Sequence, residues 1–399
     1  MATADTDVLV IGAGIQGVGV AQAAAAAGWS VILVEARAPA AGTSSKSSKL
    51  IHGGLRYLES FQLRLVRESL AERRILLRIA PHLVRLVPFF IPVYGATTRP
   101  PWKIRAGLSL YALLGDLRRS ARFSSVPREA WSTLDGLRLE GLRAVFRYYD
   151  GQTDDAALCR SVAESARDLG AGVHVGAEVL GGELARDAWR VRYRIDSRVH
   201  DVTARVVVNA AGPWANRVND RFTTPPRRRE VELVGGTHVE LSGTVDQGIY
   251  YVEAPSDRRA VFVMPWHDRT LVGTTEQPFD GDPSEYGPTP GEVEYLRETF
   301  ASYFPERRNA DVLDAWAGLR VLPRGEGRAF GRSREVILAA DEERRPTFVT
   351  IYGGKLTGYR ATAAKVERLL ARALPREERR ADTRTLRLPP DPNPGPNPG

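Results

Sequence analysis

The chain predicts an α/β protein in two units, one built around a parallel sheet, the other an α+β unit on an antiparallel sheet. Three observations carry this. The apolar run Asp7-Val8-Leu9-Val10-Ile11 leads into Gly12-Ala13-Gly14-Ile15-Gln16-Gly17, and a second run, Ser30-Val31-Ile32-Leu33-Val34, ends on Glu35. Strand-length apolar runs return late, at Arg205-Val206-Val207-Val208 and Thr347-Phe348-Val349-Thr350-Ile351, each soon followed by paired small residues. Between 230 and 310, short runs succeed one another: Val231-Glu232-Leu233-Val234, His238-Val239-Glu240-Leu241, Ala260-Val261-Phe262-Val263-Met264 and Thr270-Leu271-Val272-Gly273. That is the pattern of a mainly antiparallel sheet.

The opening βαβ pattern is informative because of its order. Glycines at 12, 14 and 17 permit a tight turn and close backbone approach, the helix N-terminus attracts a pyrophosphate, and Glu35 is placed for ribose hydroxyls. This is a Rossmann-like start. From 60 into the 80s the chain reads as a basic amphipathic helix. Leu63, Val66, Leu70, Ile75 and Leu76 oppose a solvated face of Arg64, Arg67, Arg73 and Arg74. Residues 156–170 read as a helix, Gly172-Val173-His174-Val175 as a strand, and 189–195 as a half-exposed strand. The strand at 205–208 is buried, and the small residues after it, Ala210-Ala211-Gly212, allow close approach to a bound cofactor. A last helix runs to about 374. The nucleotide-binding unit is thus expected to be discontinuous, 1–88, 150–225 and 312–374, with 89–149 and 226–311 forming the substrate unit. The charged, then Pro- and Gly-rich segment 375–399 is expected to be disordered.

Composition narrows the partners. The 399 residues are 43% hydrophobic and 26% charged, ordinary for a soluble globular chain. A net charge of +8 favours anions such as phosphorylated metabolites or acidic headgroups. The basic residues are spread out and form no nucleic-acid module, so nucleic acid is not expected as a partner. A lone Cys159 excludes an intrachain disulfide, suits a reducing compartment and reads as an inert core thiol. No basic leader or cleavage site precedes the first strand. No apolar run of ~20 residues predicts a membrane-spanning helix, and no metal site is expected. Segment 83–114 mixes Pro88-Phe89-Phe90-Ile91-Pro92 and a Leu-rich run with Arg99, Lys103 and Arg105. It reads either as a membrane-surface element or as a core helix and loop.

Two runs carry the chemistry. Gly42-Thr43-Ser44-Ser45-Lys46-Ser47-Ser48-Lys49-Leu50-Ile51-His52-Gly53-Gly54-Leu55-Arg56-Tyr57 crowds hydroxyls, lysines, a histidine, a glycine pair and an arginine together. Hydroxyls and amides can hold a pyrophosphate, the glycine pair lets a flat ring approach, and His52 and Arg56 can face a small anion. In Gly353-Gly354-Lys355-Leu356-Thr357-Gly358-Tyr359-Arg360, the glycines aim amides and a helix N-terminus at one place, and Lys355 can reach a substrate anion. Only five of the 56 basic residues are lysines, and Lys46, Lys49 and Lys355 all lie in these runs. Of six histidines, His52 and His238 are the candidates for taking a hydroxyl proton, while Arg56 and Arg320 suit a phosphate.

These runs occur in order with Arg99-Pro100-Pro101-Trp102, Asn209-Ala210-Ala211-Gly212-Pro213-Trp214, Gly235-Gly236-Thr237-His238, Pro265-Trp266, Gly273-Thr274-Thr275 and Gly318-Leu319-Arg320. Together they resemble the FAD-dependent glycerol-3-phosphate dehydrogenases and oxidases over nearly all of 7–374. The resemblance implies an FAD-binding domain of the two-dinucleotide-binding and amino-acid-oxidase type. It implies FAD as cofactor and oxidation of sn-glycerol 3-phosphate to dihydroxyacetone phosphate by hydride transfer to flavin N5. Electrons would pass to a quinone or another acceptor, with the chain cytoplasmic, free or peripheral on the inner face of the cell membrane.

With His238 added as a proton-acceptor candidate to the positions the resemblance implies, the expected catalytic residues are His52, Arg56, His238, Arg320 and Lys355. The two arginines and Lys355 would hold phosphate, and His52 would lie near the reacting carbon. The cofactor positions are Gly12, Gly14, Gly17, Glu35, Thr43, Ser44, Ser45, Ser48, Lys49, Leu50, His52, Gly53, Ala211, Gly212, Trp214, Gly354, Lys355, Leu356 and Thr357.

The chain departs from the family pattern at Gln16, at Lys46, at Glu276 in place of Asp, and at Val321 in place of Pro after the arginine. The Pro-rich run stands where a C-terminal helical domain is expected. Two other readings stay open: a flavin oxidase of an amine or 2-hydroxy acid, and a catalytically weak FAD-binding subunit.

Overall fold

Apolar runs broken by glycine turns give β1 (Thr6–Ile11), α1 (Ile15–Ala26) and β2 (Val31–Glu35). The computed structural model describes residues 4–224, 228–324 and 336–393, with the backbone alone at Arg119. The chain continues through β3 (Leu50–Ile51), α2 (Leu63–Ile79), β4 (Val84–Tyr94), α3 (Pro101–Leu114), β5 (Ser124–Ser125) and β6 (Leu142–Thr153). Next come α4 (Asp155–Asp168), β7 (Gly172–Val175), β8 (Ala177–Ala185), β9 (Ala188–Ile195), β10 (Arg198–Asn209) and α5 (Ala215–Asn219). Then follow β11 (Val231–Ser242), β12 (Ile249–Glu253), β13 (Ala260–Trp266), β14 (Arg269–Gly273) and β15 (Gln277–Phe279). The chain closes with α6 (Pro290–Tyr303), β16 (Val312–Pro323), β17 (Ile337–Ala340), β18 (Phe348–Tyr352) and α7 (Tyr359–Leu370).

The first sheet has the order β17-β18-β10-β1-β2-β7, with β9 and β8 attached beside β10. From β18 to β7 its strands run parallel, Val10 lying between Val208 and Leu33. Parallel strands covered on both faces must be apolar throughout, and Val8, Leu9 and Val10 are fully buried. The C-terminal ends of β1, β2, β10 and β18 deliver Gly12, Glu35, Ala210 and Gly353 to one edge. In open α/β sheets that edge is where ligands bind.

The second sheet runs β15-β11-β14-β13-β12-β4-β6-β3, with β16 on β11 and β5 on β6. Its pairs are antiparallel except β12 with β4, which is parallel. Helix α6 covers one face, burying Leu296 and Phe300 against Val239, Val263 and Val272. The α/β class with its antiparallel second sheet therefore stands as read from the sequence.

Two expectations need correction. Residues 312–323 were assigned to the nucleotide-binding unit, but β16 pairs with β11 from Val231↔Pro323 to Leu241↔Val312. A partner strand that distant in sequence leaves no local signal. The described part of the expected disordered tail, 375–393, is also not free. Its Pro375 carbonyl accepts from Trp29 Nε1 (2.8 Å), the Arg380 amide donates to Ala26 O (2.8 Å), and the Leu388 amide donates to Ile79 O (2.8 Å). Arg160 holds Asp391 through both carboxylate oxygens, and Leu388 is buried. Proline and charge kept this strap out of regular structure without keeping it off the helices; residues 394–399 lie outside the described part.

Helix α3 packs as the core reading expects, with Leu108, Tyr111 and Ala112 buried, and leaves Trp102 72% exposed and Leu113 59%. Among the described residues, no helix is long and apolar enough to cross a membrane. Cys159 is buried on α4.

Candidate functional site

The loops at the edge of the first sheet and the cleft-facing surface of the second enclose a cavity of about 680 Å³. All five expected catalytic residues, His52, Arg56, His238, Arg320 and Lys355, line it. So do Gly12, Gly14, Glu35, Thr43, Ser44, Ser48, Leu50, Ala211, Gly212, Trp214, Gly354, Leu356 and Thr357. Four expected cofactor residues do not: Gly17, Ser45, Lys49 and Gly53.

Each of the four has a local reason. A Cβ on Gly17 would fall 1.8 Å from the Gly12 carbonyl oxygen, so this glycine serves turn packing rather than a ligand. The Ser45 hydroxyl turns back to the Gly42 carbonyl (3.3 Å). The Gly53 amide donates to the Tyr111 hydroxyl (2.9 Å). Lys49 stands at φ 59, which swings its side chain out of the cleft; Nζ bonds Asp155 Oδ1 (2.6 Å) and the Ser45 carbonyl (2.7 Å).

The nucleotide end is built from backbone and small side chains. The Ala13 and Arg37 amides donate to the two oxygens of Glu35 (2.7 and 2.9 Å), and the Ser44 hydroxyl accepts from the Ile15 amide (2.9 Å). Thr43 lines the cavity but donates its hydroxyl to the Leu319 carbonyl (2.7 Å), pinning the loop to β16. The residues fit a dinucleotide. A Cβ on Gly12 would meet Ala210 O at 2.9 Å, so backbone reaches the cavity there. The buried Oε1 of Gln16, a cavity-lining residue, has no hydrogen-bond partner among the described residues.

The two signature runs meet: the His52 amide donates to Thr357 Oγ1 (3.1 Å), and Gln16 Nε2 donates to the Lys355 carbonyl (3.3 Å). The Lys355 ammonium lies 3.8 Å from the centre of the Tyr57 ring, with the Arg56 guanidinium 5.4 Å from it. Gly236, His238, Trp316 and Arg320 share one face of the β11–β16 pair, as their register and period of two require. Arg320 crosses Gly236, and its guanidinium reaches Thr274 Oγ1 (3.1 Å), the Thr275 carbonyl (3.2 Å) and Glu276 (3.4 Å). Glu276 also holds Arg259 (2.8 Å).

His238 is 2% exposed. Its ring stacks on Trp316 (centroids 4.2 Å apart), and Nε2 is 2.9 Å from Ser48 Oγ. Burial, then the cations of Arg320 and Lys49, holds its pKa well below the ordinary histidine value. It is therefore neutral at physiological pH.

Tyr57, Tyr251, Phe262 and Arg259 line the cavity too, yet were not singled out from the sequence. Tyr57 sat inside the signature run and could have been chosen as the ring nearest two cations. Arg259 had no signal, because its partner lies on another loop.

Residues 7–360 match the family model described as FAD dependent oxidoreductase. A glycerol-3-phosphate dehydrogenase of Pseudomonas aeruginosa is 38% identical over 370 residues, covering 90% of this chain and 70% of that protein. A D-erythritol 1-phosphate dehydrogenase of Brucella abortus is 35% identical, covering 90% and 72%. Among solved structures, the glycerol-3-phosphate dehydrogenase of Bacillus halodurans complexed with FAD superposes with a TM-score of 0.71 at 26% identity, covering 96% of this chain and 67% of that one.

Proposed function

The chain belongs to the FAD dependent oxidoreductase family, and we propose that it oxidises sn-glycerol 3-phosphate to dihydroxyacetone phosphate. The observation that carries this is the convergence of two imidazoles and three cationic side chains on the cavity that fits the dinucleotide. Bound FAD supplies a hydride acceptor at N5. The chain's own residues bind, align and deprotonate.

Binding falls to Arg320, Arg56 and Lys355. Glu276, Thr274 and Thr275 fix the Arg320 fork before any substrate arrives, so little ordering remains for a phosphate dianion to impose. Arg56 and Lys355 meet at Tyr57 and supply two further positive charges. An amine substrate would gain nothing from this cluster.

Oxidising a secondary alcohol also requires a group that accepts the hydroxyl proton. The proton passes to Nε2 of His238, the nitrogen beside Ser48 Oγ. A dianion arriving at Arg320 offsets the cation that depresses His238, so the imidazole holds a proton more readily once substrate is bound. His52, anchored through its amide to Thr357, orients the carbinol.

Electrons leave to a quinone or another acceptor. Phe61 (85% exposed) and Trp102 (72%) are exposed apolar side chains close in sequence to the Glu59–Arg99 pair, and they support a reading of peripheral membrane contact.

The test is anaerobic: sn-glycerol 3-phosphate is added to the FAD-loaded protein and absorbance is followed near ~450 nm, where oxidised flavin absorbs. Rapid bleaching supports the reading, and a spectrum that stays yellow overturns it.

A further inference from the structure

We propose that Lys49, clamped by Asp155, is a positioning residue that fixes His238 in the cleft through Trp316 and Ser48. This rests on the oxidation proposed above only for its kinetic consequence.

The sequence places Lys49 among residues that could touch a cofactor, but it lies outside the cavity lining and is 6% exposed. Burying an ammonium is costly unless it is paired and fully hydrogen-bonded. Lys49 is both. Asp155 Oδ1 accepts from Nζ at 2.6 Å and from the Ala156 amide at 2.9 Å, while Oδ2 accepts from the Ser47 amide at 2.8 Å.

The ammonium then faces two indoles, 4.9 Å from the ring centre of Trp316 and 5.3 Å from that of Trp266. A cation on one face of an indole fixes that ring by its quadrupole. Trp316 also stacks on His238, at 4.2 Å with the planes 21° apart. Lys49 thus acts on the imidazole through an aromatic plate.

The backbone gives Lys49 a second hold on His238. Its left-handed φ of 59 lets successive side chains diverge: Lys49 goes to Asp155, and Ser48 goes into the cavity, where Oγ meets His238 Nε2 at 2.9 Å. One residue therefore sets both the plate behind the imidazole and the hydroxyl at its edge.

The charged groups around His238 are Arg320 on β16, Glu276 and Arg259 behind that arginine, and the Lys49–Asp155 pair on the signature loop and α4. Arg320 belongs to phosphate binding, and Glu276, itself paired with Arg259, holds it in place. Lys49 is separated from the cavity and serves geometry.

The experiment uses FAD-loaded protein carrying ¹⁵N-labelled histidine, with the His238 signals identified by their loss in His238→Asn. Lys49→Met/Asp155→Asn removes both charges together and leaves no lone buried ion. Trp316→Leu removes the plate while keeping the ion pair, and serves if the double variant does not hold FAD. Both should shift the His238 signals and change their tautomer balance, because the imidazole is no longer held in one orientation.

Anaerobic flavin reduction by sn-glycerol 3-phosphate should slow by about tenfold in these variants, with substrate binding changed less than about twofold. In a His238→Asn background the same changes should cause no further loss. Unchanged His238 signals overturn the proposal, as do equal rate losses in both backgrounds, which would make Lys49 a general brace. If wild-type flavin is not reduced at all, the substrate assignment fails, and the histidine signals still decide the positioning role.

Discussion

The His52 amide donates to Thr357 Oγ1 at 3.1 Å, joining positions 305 residues apart. That bond ties the loop after β3 to the turn after β18, so the two signature runs form one wall of the cavity. Thr357 is 3% exposed. Thr357→Val keeps the shape and leaves a part-buried amide without its acceptor, a loss of about 1–3 kcal/mol. The expected outcome is a lower melting temperature and weaker FAD retention, read by thermal melts with and without added FAD.

Gly236 offers a sharper probe of substrate binding. A Cβ there would fall 2.2 Å from Arg320 Nη2 and 2.4 Å from Thr274 Oγ1. Gly236→Ala should displace the guanidinium while leaving the nucleotide end intact. We expect KM for sn-glycerol 3-phosphate to rise roughly tenfold or more, about 1.4 kcal/mol of lost binding, with the flavin spectrum unchanged. Loss of FAD instead would make this arginine a part of the scaffold.

His238 makes stability depend on pH, and the sign follows from its surroundings. Burial and the Arg320 and Lys49 cations push its folded pKa well below that of the unfolded chain. Below about pH 6.5 the unfolded state therefore binds a proton that the folded state refuses. The contribution is complete above that pH and is lost as pH falls toward the folded value. The melting temperature should drop more steeply between pH ~7 and ~5.5 in the wild type than in His238→Asn, which has no proton to take up.

Much of this site was legible because its signals are local. The glycines at 12 and 14, the acid at 35 and the two glycine-rich runs announce strand-end turns by spacing alone, and β1, β2, β10 and β18 bring them to one edge. Lys49 lies outside the cavity lining because a left-handed backbone, which composition does not reveal, turns its side chain to Asp155. Arg259 was missed because Glu276, its partner, lies 17 residues away on another loop. The strap at 375–393 reads as disordered from its prolines, but its order comes from backbone carbonyls offered by α1 and α2, from Trp29 and Arg160, and from the buried Leu388. Such contacts arise only once the helices are assembled.

The same dependence on assembled context governs the support beneath Gly53. Arg73, expected on the solvated face of α2, is instead buried because Asp150 pairs with it, and Arg73, Asp150 and Tyr111 are each at most 1% exposed. Asp150 accepts from Arg73 Nη1 (2.5 Å) and from the Tyr111 hydroxyl (2.6 Å), and that hydroxyl accepts from the Gly53 amide (2.9 Å). Arg73 also donates to the Tyr149 and Ser120 carbonyls (2.9 and 3.1 Å). Helices α2 and α3 and strand β6 are thereby locked to the glycine pair of the signature loop.

Two substitutions separate stability from placement. Asp150→Ala strands a buried guanidinium and should cost about 3–5 kcal/mol, enough to impair folding. Tyr111→Phe keeps the ring and the Arg73–Asp150 pair but takes away the acceptor of Gly53, at about 1–3 kcal/mol. If the hydroxyl only stabilises, Tyr111→Phe will lower the melting temperature and leave the anaerobic flavin reduction rate unchanged. We expect that rate to fall as well, because Gly53 precedes the left-handed Gly54 (φ 76) and follows His52.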